Sequence, residues 1–322
     1  MAAFLIRRLI QGAIVVALVA TLVFLLIHAA PGEPFADSLE NPSVSESVRQ
    51  TWRQAYGLDR PIGEQYARYV AAVFQGNLGF STSRHRPVAD VLADALPNTM
   101  LLMGTGLALG LFAGIAVAVA QVRRRGRRVD RLLSGVSLTF LAVPDFWLAM
   151  LVLVVFTRLF PLPIGGASDL FIDDFSTVGR IADRAKHLLL PALTLALLYF
   201  PIIARHQRAA LLETLPAEYV VTARAKGVRE SEVIRRHALR NAVLPIVTLL
   251  GIAFPALLTG AVFIERVFSW PGMGLVIVES IGSRDYPLLT SSVILSSAFV
   301  VIGSILADVV RRSLDPRIGD ER

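Results

Sequence analysis

Six apolar runs punctuate the 322-residue chain, at about 9–29, 98–122, 132–156, 188–204, 242–264 and 288–310. The first, Leu9 to Ala29, has 21 residues; as a helix rising 1.5 Å per residue it would span roughly 31 Å, one hydrocarbon thickness. The first, second, fifth and sixth runs carry almost no charge before their last turn. The third contains Asp145, and the fourth has only 17 residues, the lower limit for a span. Backbone inside a bilayer must satisfy its own hydrogen bonds, so runs of this kind are helices. The pattern predicts an all-α integral membrane protein with six transmembrane helices. A signal peptide has a shorter apolar core and a small-residue cleavage site, so the first run reads as an uncleaved span; a signal anchor that is later cut is the alternative.

Two polar segments exceed what a connector needs. Segment 30–97 opens with Pro31-Gly32-Glu33-Pro34, a cluster that cannot continue a helix. It then carries periodic apolar positions, first Val48, Trp52 and Tyr56, then Ile62, Tyr66, Tyr69, Val70, Val73 and Phe74. That spacing suggests short amphipathic helices on the membrane surface or under a partner; a solvated cap is the alternative. Segment 205–241 places Pro216 and Glu218 where a helix would start and Gly227 where it would close. A second helix would open near Glu230 or Ser231 and run toward Leu239. The segment reads as a folded knob with a tight bend at Gly227-Val228, a docking element rather than a link.

Composition agrees with the spans: 54% of residues are hydrophobic, 18% charged, and the mean hydropathy is +0.61. Average soluble chains are about 45–50% apolar and about 25% charged, which makes an ordinary soluble enzyme a poor fit. The charge of +7 becomes informative once it is mapped. Segments 1–8, 123–131, 205–241 and 311–322 hold 20 Lys and Arg in 66 residues. Segments 30–97, 157–187 and 265–287 hold 12 in 122. The positive-inside rule then puts both termini in the cytoplasm. The run Arg123-Arg124-Arg125-Gly126-Arg127-Arg128 is a topology anchor on anionic lipid rather than a nucleic-acid patch.

Catalytic chemistry is thin. The chain has no Cys, no Walker-type G-x-x-x-x-G-K-[ST] cradle for ATP, no H-E-x-x-H and no G-x-S-x-G elbow. Its five His are scattered, so neither a metal site nor a catalytic residue is expected. Asp145 is the one charge near a span centre; it follows Pro144, which breaks the backbone ladder. It reads as a cap on the amides of the following half-helix, as part of a water-filled path, or as a proton relay.

A series of short motifs runs along this frame: Arg7-Arg8; Ala30 to Pro34; Tyr56 to Pro61; Gly76 to Gly79; Pro144 to Trp147; His187 to Thr194; Tyr219 to Gly227; Arg236 to Asn241; Val267 to Gly274; Arg284 to Pro287; Leu314 to Arg317. In this order the chain resembles the inner-membrane permease subunits of dipeptide and oligopeptide ABC importers over essentially its whole length. The general importer signature is E-A-A-x-x-x-G-x9-I-x-L-P. Aligned on Gly227, it matches at Ala223, Gly227 and Leu239, whereas Val221 and Arg240 replace its Glu and Pro.

The resemblance implies a type I ABC importer permease fold in the cell inner membrane. It implies that Thr222, Ala223, Arg224, Ala225, Lys226, Gly227, Val228 and Glu230 form a coupling helix seated on a cytoplasmic ATPase. ATP and magnesium would be held by two such ATPase partners, with no cofactor in this chain. A second, similar permease would complete the pathway, and an extracytoplasmic binding protein would deliver the substrate; membrane lipid, not nucleic acid, surrounds the spans. Thr139, Asp145 and Phe146 are the candidate pathway wall. Trp270, Pro271, Gly272 and Gly274 form a candidate outer gate, with a structural turn anchored by an interfacial Trp as the alternative. Competing readings are a self-sufficient secondary carrier, a membrane enzyme, and a same-family importer of nickel, glutathione or oligosaccharide.

Overall fold

The computed structural model describes residues 2–29, 60–169, 172–246 and 262–314. Pro31 to Pro34, Val48, Trp52, Tyr56 and most of the fifth apolar run fall outside them. The chain divides into two compact units, Met1–Pro97 with Gly272–Val301, and Asn98–Pro271 with Ile302–Arg322.

The first unit starts with α1, Ala2–Ala29. Helix α2, Ile62–Phe74, realises the second set of periodic positions. Its apolar face lies on α1: Phe24 meets the rings of Tyr66 and Tyr69 at 5.2 and 5.5 Å, Thr21 and Tyr66 share a hydroxyl hydrogen bond of 2.8 Å, and His28 Nε2 lies 3.0 Å from Gln65 Oε1. A two-stranded antiparallel hairpin, β1 Phe80–Ser81 and β2 Arg86–Pro87, leads into α3, Val88–Arg123. The apolar core of this unit joins Val88, Leu92 and Ala95 of α3 to Met273 and Val276 of α8, Met273–Gly282, and to Leu288 of α9, Tyr286–Leu314.

The second unit holds α4, Arg128–Ala142, and α5, Asp145–Leu159, with a bend of 110° between them. The third apolar run is therefore not one straight helix. Pro144 has no amide proton and holds Val143 extended at ψ 128°; the ladder restarts when Leu148 N–H reaches Pro144 O at 3.0 Å. Helix α6, Thr177–Thr214, is more than twice the length of the fourth apolar run. Helical hydrogen bonding does not stop where hydropathy does: α6 begins where Ser176 accepts from Gly179 N–H at 3.2 Å and ends just before Pro216. Pro191 and Pro201 lie buried inside it. One core of this unit gathers Leu102, Leu148, Leu190, Leu195, Phe268 and Trp270; another gathers Ala118 and Val122 with Leu211, Val220, Val233 and Ile234.

The helix of residues 4–29, α3, α6 and the Tyr286–Val309 part of α9 are each long and apolar enough to cross a membrane, and the bent pair α4–α5 is a fifth candidate.

Candidate functional site

Of the 205–241 segment, residues 205–214 continue α6, and the chain from 215 to 242 folds as a knob. Helix α7, Glu218–Ala225, has Glu218 in its first turn, where a negative charge meets the exposed amides. It ends in a Schellman motif: Gly227 adopts φ +79°, its N–H donates to Arg224 O at 2.9 Å, and Val228 N–H donates to Ala223 O at 3.3 Å. The chain then continues through a short α turn at Glu230–Glu232, a π turn at Val233–Ala238 and an α turn at Leu239–Ala242. The sequence pattern did not disclose the π turn, since its apolar residues also suit an ordinary helix.

The knob is closed by polar contacts. Arg224 forks onto Glu230 at 2.8 and 3.0 Å and donates to Leu215 O at 3.2 Å. These hydrogen bonds hold the Glu230 carboxyl below its ordinary range and raise the Arg224 guanidinium. Asn241 Nδ2 donates to Tyr219 Oη at 2.7 Å, tying the end of the knob to its start. Of the expected coupling residues, Ala223 is buried in the knob's own core and Val228 packs against it. Thr222, Ala225, Lys226 and Gly227 are exposed, beside Tyr219 and Val221. The uncovered face is therefore mixed: these small and apolar residues stand with the charged Arg224, Lys226, Arg229 and Glu230, all exposed, and the Arg224–Glu230 fork lies at the surface.

Thr139, Asp145 and Phe146 are all left uncovered. Thr139 lies on α4, in an open groove of about 460 Å³ lined by Arg131, Leu132, Gly135, Val136 and Phe140. Asp145 and Phe146 open α5 beyond the bend. An acidic residue in that first turn suits the helix N-terminus.

The Trp270 turn has a different character. Trp270 is fully enclosed, and its Nε1–H donates to Asn98 O at 2.9 Å. Asn98 Nδ2 in turn donates to Pro271 O at 2.9 Å. An interfacial anchor would leave the ring facing lipid headgroups; here the ring packs among Leu102, Leu190 and Phe268. Gly165 fits against this turn only without a side chain, because a Cβ there would lie 2.7 Å from Phe268 O. Gly272 and Gly274 are buried as well.

Three carboxylates to which the sequence assigned no role organise the rest. Asp285, fully buried, accepts from Ser81 Oγ at 2.6 Å, Ser83 Oγ at 2.7 Å and Ser83 N–H at 2.9 Å, and from Leu288 N–H at 3.2 Å. Glu265, also fully buried, accepts from Thr99 Oγ1 at 2.7 Å. Asp130 accepts from Gly126 N–H at 3.0 Å and Arg208 at 3.3 Å. Their partners lie up to 204 residues away, beyond any local pattern. Among the described residues, no group of three or more His, Cys, Asp or Glu converges as a metal site would require.

Comparison with known proteins places this architecture. Residues 106–320 match the family described as binding-protein-dependent transport system inner membrane component, and residues 1–103 match its N-terminal part. The oligopeptide transport system permease protein AppB of Bacillus subtilis (strain 168) is 35% identical over 320 residues, covering 99% of both chains. The glutathione transport system permease protein GsiC of Escherichia coli (strain K12) is 35% identical over 316 residues, covering 98% of both. The chain belongs to the binding-protein-dependent transport system inner membrane components and is a multi-pass inner-membrane permease.

Proposed function

We propose that this chain forms half of the translocation pathway of an ATP-driven importer of di- and oligopeptides. Six spans would place both termini in the cytoplasm, with the 205–241 segment and its knob on the same side. A second permease would complete the pathway across α4 and α5, where Thr139, Asp145 and Phe146 stand uncovered. Two ATPase subunits would bind ATP and magnesium and receive the exposed face of α7 around Thr222, Ala225, Lys226 and Gly227. A binding protein would deliver the substrate from the other side. Relatives named for oligopeptide and for glutathione, itself a tripeptide, favour short peptides as cargo.

The observation that carries this reading is the knob. Its core is apolar, its turn is closed by backbone hydrogen bonds, and its uncovered face sets small and apolar residues beside exposed charges. A rigid body of this kind passes a partner's closure to the spans as rigid-body motion. A secondary carrier has no use for it. The tagged chain, purified in mild detergent from its native host, should bring along a Walker-motif ATPase and a second permease, identified by mass spectrometry. Recovery of the chain alone in a transport-active preparation would make it a secondary carrier.

A further inference from the structure

Next to the knob lies a partly buried polar cluster that the transport reading does not use. Asp130 sits in the first turn of α4, its side chain 8% exposed. One oxygen, Oδ2, takes both the Gly126 amide at 3.0 Å and the Arg208 guanidinium at 3.3 Å. Gln121, near the end of α3, is 3% exposed and donates to Ser134, one turn along α4 from Asp130, at 3.0 Å. Asp130 Oδ1, Arg208 Nε and Gln121 Oε1 are buried with no hydrogen-bond partner among the described residues.

Such a cluster is a poor way to stabilise a fold. Asp130 is buried while Arg208 is 33% exposed, and a half-satisfied pair that desolvates its carboxylate costs what apolar side chains of similar volume would avoid. Its value must lie in where it holds things. Arg208 belongs to α6, and its neighbour Gln207, fully buried, donates to Ala242 O at 2.9 Å, the last residue of the knob. Adjacent helical residues point about 100° apart. Two consecutive side chains of α6 therefore grip different bodies: Gln207 the knob, and Arg208 the first turn of α4 through Asp130. Three residues on, Leu211 packs in the knob's core with Val220 and Ala223.

We propose that Asp130 and Arg208 form a positioning clamp that makes α4 move with α6 when the knob is displaced, so that ATPase closure reaches the bent pair α4–α5. The clamp rests on the functional reading above. Neither residue touches substrate or nucleotide in this scheme; both act through the helices they join.

The test uses the assembled complex from the native host, with its binding protein as isolated and carrying its own ligand. Asp130→Asn keeps an oxygen for the Gly126 amide but removes the charge, and Arg208→Gln removes the other charge. Each should leave copurification and basal ATP hydrolysis near wild type and lower the binding-protein-stimulated rate on the order of tenfold. The double variant should be no worse than either single, because partners in one interaction are not additive. Arg208→Lys, which keeps the charge, should recover most of the stimulation. Unchanged stimulation, additive losses, or disappearance of both singles from the membrane without rescue by Arg208→Lys would each overturn the clamp. Absence of ATPase subunits from the wild-type complex would overturn the functional reading and the clamp with it, and is seen before any variant is measured.

Discussion

Asp285 shows how much one side chain can organise in this chain. Its two oxygens collect four donors, three from the hairpin turn at Ser81–Ser83 and one from the amide of Leu288 at the start of α9. A charged acceptor with this many donors holds its partners more firmly than neutral pairs would. Gly227 acts through the backbone instead. Nothing lies within 4 Å of where its Cβ would be, so an added methyl meets no clash; the φ of +79° alone resists it. Gly227→Ala should therefore lower the thermal stability of the purified chain by about 1–2 kcal/mol, the cost of a left-handed non-glycine residue. It should also weaken ATPase copurification, read from the same eluates. A variant with unchanged stability would show that the Schellman turn does not hold the knob.

At the level of elements, α7 depends on the fork between Arg224 and Glu230. Both residues are partly exposed, so the pair adds little to global stability. Its influence is local and titratable. Glu230's pKa in the folded knob lies below its ordinary value of about 4.5, because Arg224 hydrogen-bonds to the charged form. The stabilisation is thus present above the ordinary value and is lost as the pH falls through the lower folded one. Hydrogen-exchange protection of amides 218–230 should stay flat from neutral pH down to about 5 and fall in stronger acid. In Arg224→Gln that acid-dependent step should vanish and protection should be low throughout. An identical pH profile in both proteins would place the titration elsewhere. The break between α4 and α5 belongs to the same scale: one proline turned an apolar run of span length into two helices at 110°.

For the whole molecule, the distribution of charge makes a topological prediction. The native chain has no cysteine, so single cysteines can be introduced and labelled without background. Arg125→Cys and Phe74→Cys both replace exposed residues. A membrane-impermeant maleimide added to intact cells, with the outer barrier opened where there is one, should label Phe74→Cys and spare Arg125→Cys until the membrane is disrupted. Labelling of both from outside would overturn the assignment of the arginine-rich turns to the cytoplasm.

Local features of the chain were legible in its sequence, and contacts between distant segments were not. The apolar runs at 9–29, 98–122 and 288–310 were legible because hydropathy over a bilayer thickness is a local property, and α1, α3 and α9 occupy them. The closure of α7 at Gly227 was legible for the same reason: a C-terminal glycine is a signal carried by neighbours in sequence. The full length of α6 was not, because its ends are set by Ser176 and Pro216 rather than by hydropathy. The burial of Trp270 and the pairing of Asp130 with Arg208, 78 residues apart, were not legible either. Sequence alone determined the membrane class, the spans it marks most strongly and the presence of a folded knob. Only the tertiary structure decided which carboxylates are buried and which face of α7 remains open. Burial and pairing depend on which distant segments the fold brings together, and no local pattern of residues records that.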